Sequence, residues 1–226
     1  MSDPRRVLLA GATGLVGTCV MHAVRVHPSL RLIALTRREA PIPRGTPMEM
    51  MVAEPARWPE AIATIAPDAV ICALGTTRRK ARSEEAFRAV DHDLVLALAS
   101  AARKAEVANF VLVSSAGADP LAKAFYLRVK GETEAAVTKL RFRRFDILRP
   151  GLLRGARAND RRPLERLAMI ASPLTDLLLF GDKRRYRSID ARAVAAAALQ
   201  LSREKAAGRF VHDTDSILRA ARRLEP

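Results

Sequence analysis

The stretch from Val7 to Gly17 constrains this chain more than any other, because a short apolar run, Val7-Leu8-Leu9-Ala10, opens directly into Gly11-Ala12-Thr13-Gly14-Leu15-Val16-Gly17. The run is uncharged and too short for a helix, so it suits a strand buried on both faces of a parallel sheet. Gly11 permits a sharp turn, Gly14 lets the backbone approach a ligand with no Cβ in the way, and Gly17 lets a new helix pack closely on the strand. The segment up to Met21 supplies an apolar helix face. Amides at the start of that helix, aligned with its macrodipole, suit a phosphate. Three glycines at such spacing are a weak signal alone, but a buried strand before them and a helix after them point to dinucleotide binding.

Apolar runs and helical patterns alternate along the 226 residues. That alternation is the signature of βαβ units, so the fold class is α/β with a doubly wound parallel sheet of the Rossmann kind. Further strands are expected over residues 30–35, 48–52, 69–74, 110–113 and 145–148, and helices over 58–65 and around Tyr126 and Lys130. Ser83 can cap a long helix whose first turn holds Glu84 and Glu85. The tail after Gly151 reads as irregular connections with three short helical stretches, one over 191–201, and Phe210-Val211 as a candidate last strand. One nucleotide-binding domain over 1–226 accounts for the length. Residues 152–189 are expected to form a substrate-side lid. Its Arg154, Arg157, Arg161 and Arg162 would suit an anionic small-molecule substrate, a solvated basic loop being the plainer alternative.

A net charge of +15 favours anionic partners, yet the arginines are scattered over helices and loops, so an Arg-rich surface explains most of the excess. The basic clusters lack interleaved aromatics, with Tyr186 alone among residues 183–187, which argues against nucleic acid. Cys19 and Cys72 make no disulfide framework, and a reducing cytoplasm is the expected setting. His22, His27, His92 and His212 do not join them at any zinc-ligand spacing, so no metal site is expected. The apolar run before Gly11 is too short for a signal peptide, and the greasy region 167–180 is broken by Pro173 and Asp176, so no membrane span is expected.

About twenty residues beyond the glycine motif an NAD-specific fold usually places an acid to bond the ribose 2′-hydroxyl. This chain has Thr36, Arg37 and Arg38 there, which favours a 2′-phosphate and hence NADP. A bidentate guanidinium-phosphate contact is worth roughly 1.5–3 kcal/mol. Arg-Arg doublets recur elsewhere, at 143–144 and 222–223 for example, so the doublet alone is a cheap signal. Tyr126 and Lys130 are four apart and share one face of a helix. An ammonium near a phenol favours the phenolate, which makes the tyrosine a usable proton donor or acceptor. Alone the two would be a surface pair. Their context is Ser115 at the carboxyl end of the preceding strand, where open α/β sheets bind ligands, and Gly131, which gives up roughly 1 kcal/mol of helix stability as a tight approach would require.

Together the glycine motif, Val113-Ser114-Ser115-Ala116-Gly117-Ala118-Asp119, Tyr126-x-x-x-Lys130 and Leu148-Arg149-Pro150-Gly151 resemble the atypical short-chain dehydrogenases/reductases. Cys72-Ala73-Leu74-Gly75-Thr76-Thr77-Arg78, Val90-Asp91 and Lys130-Gly131-Glu132 are similar to its Tat-interacting oxidoreductase-like branch. The resemblance covers residues 7–215. It implies an NADP site along Gly11 to Gly17, Arg37, Arg38, Ala73, Leu74, Gly75, Thr76, Ser114, Tyr126, Lys130 and Pro150. It further implies that Ser115 orients the substrate oxygen, Tyr126 exchanges its proton and Lys130 binds the nicotinamide ribose, with Ser114 as the competing serine. The larger family often has Asn where this chain has Asp91. The expected activity is NADP-dependent hydride transfer to or from a small carbonyl or alcohol. A cofactor-sensing regulator and a nucleotide-sugar epimerase or dehydratase are the alternatives, the latter with little room for a substrate lobe in about 75 residues after Gly151.

Overall fold

The computed structural model describes residues 3–77, 81–155 and 186–224. Its centre is a seven-stranded, wholly parallel sheet: β1 (Arg5–Ala10), β2 (Leu30–Thr36), β3 (Met48–Val52), β4 (Ala69–Cys72), β5 (Asn109–Val113), β6 (Arg144–Leu148) and β9 (Gly208–His212). The spatial order is β3-β2-β1-β4-β5-β6-β9. The order reverses between β1 and β4, and ligands of such sheets bind at that switch point, outside the carboxyl ends of the strands. Both faces are covered. Helices α1 (Leu15–Ala23), α6 (Ala191–Arg203) and α7 (Thr214–Arg222) share one apolar layer with Val7, Leu9, Val111 and Leu148. Helices α2 (Trp58–Ile65) and α4 (Leu94–Lys104) share the other with Leu8, Val70, Phe110 and Ile147. Alternate residues of each strand thus feed opposite layers, which is why the buried part of β1, Val7 to Ala10, reads as an unbroken apolar run.

The turn after β1 needs its glycines. Gly11 has φ +91°, and a Cβ there would stand 2.4 Å from the Ala73 carbonyl oxygen. A Cβ on Gly17 would stand 2.1 Å from the Gly11 carbonyl oxygen. Gly11 turns the chain out of the ladder, and β4 loses its neighbour at the same level: it ends at Cys72 rather than running to Leu74. Ala73 and Leu74 enter a loop beside the glycine turn.

The long helix after Ser83 starts as expected, the Ser83 hydroxyl accepting the Ala86 amide at 3.1 Å, but it is not a uniform α-helix. Between α3 (Glu84–Arg88) and α4 lies a π-turn, Ala89–Asp93. Apolar periodicity does not reveal such a turn, because the helix continues on both sides of it.

Among the described residues of the tail, the strand is longer than the sequence suggests. The candidate strand at 210–211 is a five-residue edge strand, β9, paired along its length with β6. Its more buried positions, Phe210 and His212, meet a buried charged pair on β6 rather than an apolar face. Asp146, fully buried on β6, accepts Arg144 Nε at 2.6 Å and Nη2 at 2.9 Å and lies 2.8 Å from His212 Nε2, while the Arg144 guanidinium stacks 4.3 Å from the Phe210 ring centre. Of the expected lid, residues 156–185, with Arg157, Arg161 and Arg162, lie outside the described residues. Its two ends form a short parallel pair, β7 (Leu153–Arg154) with β8 (Ile189–Asp190). Among the described residues no helix is long and apolar enough to cross a membrane.

Candidate active site

The loops at the carboxyl ends of β1 and β4 form one wall. The Ala73 amide donates to the Ala10 carbonyl at 2.8 Å, and the Gly14 amide to the Gly11 carbonyl at 3.0 Å. Helix α1 has Gly14 as its N-cap, with no side-chain cap and no acid in its first turn, so no cap or acid of its own first turn competes for its first amides. Ala12, Thr13, Leu15 and Val16 lie on this turn, Ala12 and Val16 with buried side chains. Arg37 and Arg38 are exposed just past β2 and make no ion pair among the described residues.

Facing this wall is α5 (Phe125–Thr138). Tyr126, Lys130 and Glu134 recur every four residues and so lie along one stripe, and each engages a different part of the site. The Tyr126 ring packs against Phe87 at 5.6 Å between centres. Lys130 Nζ lies 2.8 Å from Asp91 Oδ1, in an ion pair buried on both sides. The second Asp91 oxygen accepts the Thr76 amide at 2.7 Å, and its main-chain carbonyl accepts the Thr133 hydroxyl at 3.0 Å. Burial pulls the Lys130 ammonium down, but Asp91 and then Tyr126 outweigh it and hold its pKa above the ordinary lysine value. Cys72, beneath the same pair, is fully buried, and burial pushes its thiol up to about 12, which leaves it inert.

Glu134 takes the Ser114 hydroxyl at 2.5 Å and the Arg149 guanidinium at 2.5 Å from Nη2 and 3.1 Å from Nε. The two serines thereby separate. Ser114 is buried and spent on fastening the end of β5 to α5, whereas Ser115 is half-buried and its hydroxyl makes a long 3.3 Å bond to the Ala116 carbonyl. The loop after Ser115 crosses α5 at Gly131, where a Cβ would stand 2.2 Å from the Asp119 carbonyl carbon. Pro150, buried, accepts the Ala116 amide at 2.8 Å through its carbonyl. Beside this loop is a cavity of about 500 Å³ lined by Gly117, Asp119, Arg149, Tyr186 and Asp213 among others.

The structure therefore brings Ser115, Tyr126 and Lys130 to one end of the sheet with the β1 and β4 loops. It adds three residues that the sequence reading did not assign, Asp91, Glu134 and Arg149. Glu134 was within reach, because it continues the four-residue stripe. Arg149 was not, because its partner lies fifteen residues back on another element. The glycine turn, the uncapped helix start and the charged lysine beside them fit a dinucleotide, with its phosphates against the amides.

A family model described as the NAD dependent epimerase/dehydratase family matches residues 7–210. The chain is 37% identical over 169 residues to the mitochondrial protein fmp52 of Emericella nidulans, covering 72% of each. It is 38% identical over 158 residues to mitochondrial FMP52 of Saccharomyces cerevisiae, covering 69% of this chain and 68% of that protein. Among solved structures it is similar to MoeE5 in complex with UDP-glucuronic acid and NAD, with TM-score 0.70 and 17% identity over 93% of this chain and 75% of that one. It is also similar to UDP-N-acetylglucosamine 4-epimerase from Bacillus cereus, with TM-score 0.66 and 18% identity over 95% of this chain and 82% of that one. The relatives' names overturn the expectation of a cytoplasmic protein, since they are mitochondrial. The reason is physical: two unpaired cysteines report a reducing setting, and more than one compartment provides that. From the wholly parallel Rossmann-like sheet, the glycine turn and the match over most of its length, the chain belongs to the NAD dependent epimerase/dehydratase family.

Proposed function

We propose that this protein is an NADP-dependent oxidoreductase of the short-chain dehydrogenase/reductase type, close to the Tat-interacting oxidoreductase-like branch, acting on a small carbonyl or alcohol. The observation that carries the reading is the α5 stripe, on which Tyr126 packs against Phe87 and Lys130 lies at the β4 loop, with Ser115 at the end of the neighbouring strand. Gly11 to Gly17, Ala73 to Thr76 and Lys130 hold the cofactor, and Arg37 and Arg38, in place of an acid, select its 2′-phosphate. When bound, the nicotinamide supplies or accepts the hydride. The Ser115 hydroxyl orients the substrate oxygen. In the reducing direction the Tyr126 phenol gives its proton to that oxygen as the carbonyl becomes an alcohol, and the phenolate regains a proton from water. Lys130, one turn along the same stripe, keeps its ammonium against Asp91 at the β4 loop. The partner is a small molecule, an anionic one if Arg154 faces it, and not nucleic acid or membrane.

A second reading, a nucleotide-sugar epimerase or dehydratase, is supported by the family description and uses the same side chains. The two differ in their redox balance. An oxidoreductase consumes one NADPH per carbonyl reduced, whereas an epimerase regenerates its cofactor within the cycle. The test is a thermal-stability titration with NADPH and NADH followed by turnover screens of carbonyls and of UDP-sugars. NADPH at a hundred times its dissociation constant should stabilise the fold by about 2.7 kcal/mol, and NADH should need far more for the same effect. Equal shifts from both would remove the 2′-phosphate argument, and no shift from either would remove the cofactor reading itself.

A further inference from the structure

Asp91 stands where the larger family often has Asn, and the structure gives it contacts in three directions. Its side chain is 1% exposed. One oxygen pairs with Lys130 on α5, the other takes the Thr76 amide of the β4 loop, and its carbonyl lies 3.0 Å from the Thr133 hydroxyl of the same helix, which also has the Val129 carbonyl at 2.8 Å. The π-turn belongs to this arrangement. One extra residue in a helical turn rotates the following side chains by roughly 100°, so a regular α-helix would not present the same residues to the site on both sides of Asp91. Gly75 lies directly over the pair: a Cβ there would stand 3.3 Å from Asp91 Oδ1 and 3.6 Å from Lys130 Nζ. A buried ion pair is a poor stabiliser, because the desolvation of both charges offsets their attraction and an apolar pair often does as well. Stability alone therefore gives no reason for this one.

We propose that Asp91 is a positioning residue of the dinucleotide site, which fixes Lys130 and the Thr76 amide to a single carboxylate so that the lysine and the β4 loop meet the ligand as one preset wall. The proposal rests on the dinucleotide reading above. Among the described residues the groups facing Lys130 are Asp91 from the π-turn, Tyr126 from its own helix and Cys72 from β4, and the thiol of Cys72 stays neutral. Asp91 thus supplies the negative charge that keeps Lys130 protonated in a buried position.

The test compares the parent with the Asp91→Asn protein. Asparagine keeps an oxygen for the Thr76 amide but removes the charge, so burial acts on Lys130 with less to oppose it and its pKa falls. Dinucleotide affinity, read by NADPH fluorescence on binding, should be flat in the parent from about pH 7 to 9.5 and should weaken by about tenfold over the same range in Asp91→Asn, one pKa unit being a tenfold change in protonation ratio. Parent-like affinity and a flat profile in Asp91→Asn would overturn the proposal and leave the dinucleotide reading standing. Failure of the parent itself to bind either dinucleotide would overturn both. If Asp91→Asn does not fold, nitrogen-15 resonances of the lysine side chains in the parent decide: a Lys130 ammonium that persists beyond the ordinary lysine value of 10.5 supports the pair's role, and one that titrates at or below it overturns it.

Discussion

Tyr126 and Lys130 look equivalent in the sequence, two functional side chains one turn apart, yet their surroundings make them respond differently to substitution. The Tyr126 ring is held by Phe87, so Tyr126→Phe keeps the packing and loses only the hydroxyl. Turnover of any identified substrate should fall by roughly 10²–10⁴-fold, with NADPH binding almost intact. Parent-level turnover would show that another group moves the proton. Lys130→Met leaves the Asp91 carboxylate buried without its cation, and removing one partner of a buried pair costs about 3–5 kcal/mol. The variant is therefore expected to be a destabilised protein as well as a poor binder, which chemical denaturation measures. The pH dependence has a fixed sign. The folded pKa of Lys130 is raised, so its contribution is fully present below the ordinary value of roughly 10.4 and is lost as pH rises through the folded value. On the Lys130 side, the stability gap between parent and Lys130→Met should narrow in that alkaline range.

At the scale of elements, α5 joins three loops. Through Lys130 it reaches Asp91 and the β4 loop, through Glu134 it holds Ser114 at the end of β5, and through the same carboxylate it holds Arg149 at the end of β6. The spacing of Tyr126, Lys130 and Glu134 was legible, because four-residue repeats follow from helix geometry. Their partners were not, because β5, β6 and the π-turn come together only when the sheet has formed. Gly131 shows the same division. The sequence marks it as an unfavourable residue in a helix, and the structure supplies the reason, the Asp119-Pro120 backbone crossing there. Gly131→Ala should gain helix propensity yet lose stability, by about 1–3 kcal/mol, because the new methyl collides with backbone that cannot rotate away. A urea midpoint above the parent's would contradict the close crossing.

For the whole molecule the dominant quantity is the +15 net charge. Several ion pairs relieve it locally, but Arg57 with Glu60 and Arg192 with Asp190 are largely exposed, and such pairs contribute at most about 1 kcal/mol each. The excess of like charge acts over longer range and opposes the compact state. Screening shortens from about 30 Å at 0.01 M salt to about 8 Å at 0.15 M, so added salt should relieve repulsion more than it weakens the exposed pairs. The thermal midpoint should rise over that interval, by about 2–4 °C for each kcal/mol relieved in a chain of this size. A falling midpoint would mean that the surface pairs outweigh the net charge.

The sequence by itself determined the parallel α/β sheet, the glycine turn after β1 and the helix that carries Tyr126 and Lys130. These follow from local rules: uncharged runs for strands buried on both faces, glycine where φ is positive or backbones touch, and one helix face for residues four apart. Only the tertiary structure decided which serine is spent on Glu134, that Asp91 pairs with Lys130, and that β9 completes the sheet over the buried Asp146. Each of those joins residues distant in the chain, and each buries a polar or charged group. A sequence read alone treats such a group as surface until its partner is in place to satisfy it.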